Sequence, residues 1–403
     1  MIKEFFKREP NQPPMTPPAP ERKASATGSV LAAVQGAGRS VWGPRDATSL
    51  IRNGFSGNPV GFRSVKLIAE AAAALPLVVQ DAERRYDAHP LSDRLARPNG
   101  AQGRAELLEM LYGQILLSGN GYLEGAGGGL GVMPLELHVL RSDRMRVVPG
   151  GDGWPAAYEY SVGGRKHRFD MTGDVPPICH IRSFSPLDDH YGFSPLQAAA
   201  NAVDVHNSAS RWSKALLDNA ARPSGAIVFT GPEGQGTMSN DQYERLVDEM
   251  AANYQGARNA GRPMLLEGGL DWRPMGFSPS DMEFQKTKEA AAREIALAFG
   301  VPPMLLGIPG DATYANYQEA NRAFYRLTVL PLATRVSAAI ADWLARFTGE
   351  AVWLQPDLDK IPALSAEREA QWRRVREADF LTRNEKRGLL GLPPVVEGTG
   401  EGA

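Results

Sequence analysis

Two stretches between residues 278 and 349 carry apolar residues three and four positions apart, the spacing of amphipathic helices. The first opens at Ser278-Pro279-Ser280-Asp281, where a capping serine, a proline at the first helical position and an early acid are start signals. It runs through Ile295 and Phe299 and stops at Gly300, ahead of Pro302 and Pro303. A Gly/Pro-rich hinge, Met304 to Thr313, follows. The second stretch runs from about Tyr314 to Phe347 and ends at Gly349. Its late apolar face is Leu332, Val336, Ala339, Ile340, Trp343, Leu344 and Phe347. That is a rod ~50 Å long, longer than a small globular core needs. Pro331 lies inside it, removes a backbone donor and crowds the preceding turn, so a kink is expected there.

The rest of the chain alternates helical and strand patterns. Six prolines between residues 10 and 20, followed by a Gly/Ser/Ala stretch to about 40, read as a disordered arm. Asn58-Pro59 starts a helix whose apolar face is Phe62, Val65, Ile68 or Ala69, and Ala72, and which ends at Leu75-Pro76. A short strand, 77–80, a short helix after His89-Pro90 and a helix over about 105–117 come next. Residues 122 to 183 read as β, with strands predicted at 132–140, 144–149, 156–162 and 178–183. Residues 45 to 190 thus form an α+β unit.

Ser194-Pro195-Leu196-Gln197 is a capping box opening a further helix of ~26 residues, or ~39 Å. Its pattern runs through Leu196, Ala199, Val203, Trp212, Leu216 and Ala220 and stops before Arg222-Pro223. Between it and the helix at 279 lies a small βαββ insert: strand 225–230, helix 239–254, strands 263–267 and 270–275. After the rod come a strand at 352–354 and two capped helices, Ser365 to about Asp379 and Thr382 to Leu390, with Glu385 closing the second box. Gly391-Leu392-Pro393-Pro394 ends the ordered pattern.

Composition narrows the function. The chain has 403 residues, 43% of them apolar and 22% charged, which is enough for substantial cores in a globular protein. A formal net charge of −2 gives no global attraction to nucleic acid. The single cysteine, Cys179, excludes a disulfide framework within one chain and suits a reducing compartment. No apolar run reads as long enough to span a bilayer, and the N-terminus lacks the apolar centre of a secretion signal.

Catalytic and cofactor signatures are missing. There is no phosphate-cradling loop, no HExxH, no cysteine pair and no Gly-x-Ser-x-Gly. The glycines between Gly125 and Gly131 sit between strands, whereas a dinucleotide loop needs a following helix. Neither a cofactor nor a metal is expected. Asp188-Asp189-His190 has the residue types for a divalent metal, but reads as a solvated loop ahead of the next helix. His180 reads as a packed strand residue, and Trp212, Trp343 and Trp372 as core or subunit-contact residues. Arg373, Arg374 and Arg376 sit with Glu367 and Arg368 on a mixed-charge helix, a solvated face that could also meet DNA phosphates.

The order of parts resembles the portal (head–tail connector) proteins of tailed phages over roughly residues 45 to 395. The residues that carry it are Leu117-Ser118-Gly119-Asn120-Gly121-Tyr122, Tyr191-Gly192-Phe193-Ser194-Pro195-Leu196, Ala298-Phe299-Gly300-Val301-Pro302-Pro303 with Leu306-Gly307, Asn316 with Phe324 and Pro331, and Leu381-Thr382-x-Asn384-Glu385-x-Arg387. The short chain looks like the portals of phage-like gene transfer agents.

The resemblance implies an α+β portal fold and a structural protein rather than an enzyme. After the 1–44 arm, residues 45–190 with the long kinked helix and strand of 314–364 would form the wing. Residues 191–221 and 279–300 would be the two-helix stem, 222–278 the small α/β clip, 301–313 the tunnel loop and 365–403 the crown helices and tail. The tunnel-loop residues Gly307, Ile308, Pro309, Gly310, Asp311, Ala312 and Thr313 would face the DNA channel. In the stem, Trp212 and Leu216 are expected to touch a neighbouring subunit.

Expected partners are eleven further copies in a homo-dodecamer, double-stranded DNA passing without sequence reading, the terminase large subunit, a head–tail adaptor and the major capsid protein. No membrane is involved. The place is one vertex of a virion or gene transfer agent particle, assembled in the bacterial cytoplasm. Twelve helices ~10 Å wide, side by side, give a ring ~38 Å across their axes with ~28 Å clear, room for a duplex. Two other readings stay open: a non-portal ring or scaffold protein, and a metal-dependent nuclease using Asp188 and Asp189.

Overall fold

The computed structural model describes residues 47–218, 225–229, 270–274, 279–310 and 313–395, with isolated helical positions between 239 and 248. The N-terminal arm, Ala220, Ser278 and the strand expected at 263–267 lie outside the described residues.

Helix α1 (Ala47–Ile51) leads through a π-turn, Arg52–Ser56, into α2 (Pro59–Ala73). Asn58 caps α2, its side-chain oxygen accepting from the amides of Val60 and Gly61. β1 (Leu77–Gln80) and β2 (Arg85–Tyr86) precede α3 (Pro90–Ala96) and α4 (Arg104–Ser118). Gly119 ends α4 at φ 78°, a left-handed C-cap that a side chain would strain. Strands β3 (Asn120–Ala126), β4 (Glu136–Leu140), β5 (Met145–Pro149), β6 (Pro155–Val162), β7 (Arg165–Asp170) and β8 (Ile178–Arg182) follow. They form two antiparallel sheets, β4-β3-β8 and β5-β6-β7.

The capping box at Ser194 and Gln197 is formed, but its helix is interrupted. α5 (Pro195–Ala198) stops at Ala199, and α6 (Ala200–Asp218) continues after that turn. β9 (Gly225–Phe229) pairs antiparallel with β10 (Leu270–Pro274). α7 (Pro279–Phe299) then leads through a 3-10 turn, Pro303–Leu306, to α8 (Tyr314–Phe324) and α9 (Leu330–Thr348). The last elements are β11 (Trp353–Pro356), α10 (Ser365–Glu377) and α11 (Arg383–Leu389). β11 pairs antiparallel with β1, Leu77 opposite Pro356 and Gln80 opposite Trp353, closing the β11-β1-β2 sheet.

The main core draws on Ile68, Leu107, Leu111, Ile115, Leu123, Ile295, Val329, Val336, Ile340 and Leu344, all buried. Each such side chain contributes roughly 1.5–3 kcal/mol relative to exposure. A smaller core, with Tyr122, Met145, Val147, Tyr158 and Phe169, is shared by the β4-β3-β8 and β5-β6-β7 sheets.

The rod is built as expected, with a difference at its middle. A π-turn, Tyr325–Val329, joins α8 to α9 just before Pro331, where the proline withholds one backbone donor. Its second half is no surplus rod: Ala333, Val336, Ile340, Leu344 and Phe347 are core residues. Residues 315–348 are long and apolar enough to cross a bilayer by length and composition, contrary to the sequence reading. Half of that apolar window is buried in the protein, as in a core helix.

Other local expectations are corrected. Phe62 is 45% exposed, because Gly61 and Ser64 take the packed face of α2, where Gly61 meets the Gly54 backbone. Strand β7, with residues 165–168 exposed, has no apolar alternation and pairs with β6 through its backbone. Ser365 does not cap its helix; a 3-10 turn, Pro362–Leu364, runs straight into α10. Residues 391–395 pack back on α11, where the Arg387 guanidinium donates to the Pro393 carbonyl and the Val395 amide to Asn384 Oδ1.

Candidate functional site

Helices α6 and α7 pack antiparallel. Trp212 of α6 stacks on Phe284 of α7, and one turn and a half earlier His206 lies near Lys288. The root of the pair is fixed by a polar clamp. Asn58 Nδ2 donates to Asn207 Oδ1 at 2.9 Å and lies 3.1 Å from His206 Nδ1, while Asn207 donates to the Asn53 carbonyl at 2.9 Å. Burial of His206 and the nearby Lys288 hold that imidazole below its usual pKa, so it stays a neutral member of the clamp. Of the two expected contact residues, Trp212 is half-buried with one ring face on Phe284. Leu216 follows one turn later in the same helix.

The hinge returns the chain from α7 to the rod. Gly307, at φ 73°, closes the 3-10 turn, and its amide bonds back to Met304 and Pro303. The Ile308 amide also reaches the Pro303 carbonyl, at 3.2 Å. Gly307, Pro309 and Gly310 are exposed and Ile308 is half-buried. Asp311 and Ala312 lie outside the described residues. Thr313 caps α8 through the Asn316 amide. Asp311 is the one charged residue within 307–313, and Arg293 lies outside that stretch of sequence. That residue projects from α7 and donates to the Pro309 carbonyl at 2.6 Å, a contact visible only once the helix and loop are folded together.

Two motifs far apart in sequence meet at the wall of the smaller core. The Gly192 amide donates to Asn120 Oδ1 at 2.8 Å, and the Ser183 amide to the Gly119 carbonyl at 2.8 Å. A Cβ on Gly192 would lie 2.1 Å from the Gly119 oxygen. Asn120 Oδ1 also sits 3.0 Å from His180 Nε2, and Tyr158 Oη lies 3.1 Å from His180 Nδ1. A neutral ring satisfies both contacts, with Nε2–H donating to Asn120 and Nδ1 accepting from Tyr158. Burial pushes the His180 pKa down to about 3, and Tyr122 stacks on its face. The Gly300 motif is hooked likewise: Thr328 Oγ1 of the π-turn donates to the Gly300 carbonyl at 2.6 Å.

The acidic loop folds on itself as a turn. Asp188 Oδ1 accepts from the His190 and Tyr191 amides, an Asx turn, and Arg182 donates to the Asp189 carbonyl. Among the described residues no cluster of three metal-ligating side chains occurs. Cys179 is buried, and its thiol is pushed up to about 12 by desolvation, so it is no nucleophile.

Residues 59–391 match the family model described as "Phage portal protein". A protein of Rickettsia bellii (strain RML369-C), described only as uncharacterized, is 38% identical over 344 residues, 85% of this chain and 88% of its own. Among solved structures, a chain of the "Virion of native gene transfer agent (GTA) particle" is 70% identical. It superposes with a TM-score of 0.71, covering 92% of this chain and all of that one. A chain of the "Neck of native GTA particle computed with C12 symmetry" is 69% identical, with a TM-score of 0.71 and the same coverage.

Proposed function

This chain belongs to the phage portal protein family, and on that premise we propose that it forms the twelve-subunit portal ring at one vertex of a gene transfer agent particle. It is a structural protein, not an enzyme. The ring is the channel for DNA entry and exit. It serves first the terminase large subunit and then the head–tail adaptor as a docking site, and seats in the major capsid protein shell. The observation that carries this reading is the antiparallel pair α6/α7, pinned at its root by Asn58 and carrying the β9–β10 ribbon in the stretch that joins the two helices. In the ring, α6 and α7 are the stem and residues 222–278 the clip. Residues 301–313 are the tunnel loop, with 307–313 facing the channel, 45–190 with 314–364 the wing, and 365–403 the crown.

Exposed apolar side chains support assembly. Leu297 and Leu327, 78% and 72% exposed, line an apolar recess of about 410 Å³ with Pro302, Pro303 and Phe324. A neighbouring subunit covers such a surface in a ring whose contacts are head-to-tail. Light scattering after size exclusion tests the ring. A dodecamer of 43.6 kDa chains has a mass of about 520 kDa, and negative-stain images would show a turbine with an axial hole. A monomer at all concentrations, or filaments, would overturn the reading.

A further inference from the structure

We propose that the groove between α10 and α11 is a binding site for the phosphate backbone of duplex DNA. The groove encloses about 990 Å³. Arg373, Arg376, Arg383, Lys386 and Arg387 line it against two carboxylates, Glu369 and Glu377, with Val375, Leu390 and Leu392 at its floor. In a chain whose formal net charge is −2, this is a concentrated local excess of positive charge. Three of the cations are committed to nothing else. Arg373, Arg376 and Arg383 are exposed and make no ion pair among the described residues, whereas other arginines of the same region are engaged. Arg368 is held by Asp359 at 2.6 Å, and the Arg387 guanidinium donates to the Pro393 carbonyl at 2.7 Å.

The groove is rigid enough to present those cations together. The Trp372 indole N–H donates to Asp359 at 2.9 Å, and Arg368 bonds to Gln371 and the Leu390 carbonyl. Lys386 Nζ donates to the Arg376 carbonyl at 3.2 Å, tying one helix to the other across the groove. A row of guanidinium groups over an apolar floor suits phosphates, which accept forked N–H donors. The inference rests on the portal reading only in choosing DNA as the polyanion that meets this surface.

The test uses the full-length protein and a fluorescent duplex, with anisotropy measured from about 50 mM to about 200 mM salt. Arg373→Gln, Arg376→Gln and Arg383→Gln together should weaken binding at least about tenfold at low salt and make the log–log salt slope shallower by about 3. A control triple, Arg165→Gln, Lys166→Gln and Arg168→Gln on the exposed strand β7, should change neither. Equal binding by the groove variant and the wild type, or equal loss in the control, overturns the site. So does a groove variant that keeps DNA binding but loses a poly-glutamate peptide, which would assign the groove to an acidic protein partner. Light scattering on the same samples reports ring formation separately, so failure of the ring and failure of the groove are read apart.

Discussion

Trp212 stacks on Phe284 with ring centroids 4.2 Å apart and planes 22° from parallel. This contact joins α6 and α7 within one chain, so the outer edge of the pair, rather than the shared face, is left for a neighbour. Phe284→Ala should loosen the hairpin by about 0.5–1.5 kcal/mol beyond lost area. Thermal melting of the ring would register it as an earlier first transition, and an unchanged melt would contradict the packing.

Leu216, one turn beyond Trp212, is expected to meet the next subunit. Leu216→Asp buries an unpaired charge at that contact and should leave a folded protein with impaired rings. Far-UV circular dichroism checks folding and light scattering checks assembly. Normal rings would remove Leu216 from the interface.

Gly192 and Gly113 set up opposite expectations for two glycine-to-alanine changes. A Cβ on Gly192 would sit 2.1 Å from the Gly119 oxygen and 2.7 Å from the Ser183 amide nitrogen, both backbone, so Gly192→Ala should be severely destabilising. At Gly113, inside α4, a Cβ meets nothing within 4 Å, and Gly113→Ala should stabilise by roughly 0.5–1 kcal/mol. Denaturant midpoints of the two variants give the answer directly.

His180 makes stability fall in acid. Its folded pKa, down to about 3, lies below the value of about 6.5 in the unfolded chain. Between those values the unfolded state binds more protons, so stability is full above pH ~6.5 and declines as pH drops toward 3. His180→Gln should make that decline shallower by up to about one proton. Melting curves from pH 7 to pH 4 would show it, and parallel profiles would refute the neutral buried ring.

Much of this architecture was legible because local chemistry decided it. The boxes at Ser194/Gln197 and Thr382/Glu385, the glycine stops at Gly300 and Gly349 and the rod from Tyr314 each rest on residues a few positions apart. What escaped the sequence depends on residues brought together from a distance. β7 owes its strand state to pairing with β6, Gly119 matters because Gly192 arrives against it, and Arg293 joins the hinge only through folding. The break at Ala199 has no signal in an otherwise unbroken helical pattern.

The hinge charge is open to reversal. If the loop faces the DNA path, Asp311→Lys should assemble normally yet slow packaging, more so at low salt where screening is weak. Arg293 already lies beside the loop, so Arg293→Gln should lessen the defect. Packaged DNA length at two ionic strengths decides it, and full-length packaging by the lysine variant at low salt would place Asp311 away from DNA.

The most direct measurement locates the hinge in the assembled ring. Cys179 is buried with its thiol pushed up to about 12, so it leaves an introduced cysteine as the reactive site. Gly310→Cys rings, labelled with a maleimide–gold cluster and viewed end-on by electron microscopy, should show gold at the ring axis. Gold spread around the rim would contradict the channel placement of residues 307–313, and with it the account of this chain as a DNA conduit.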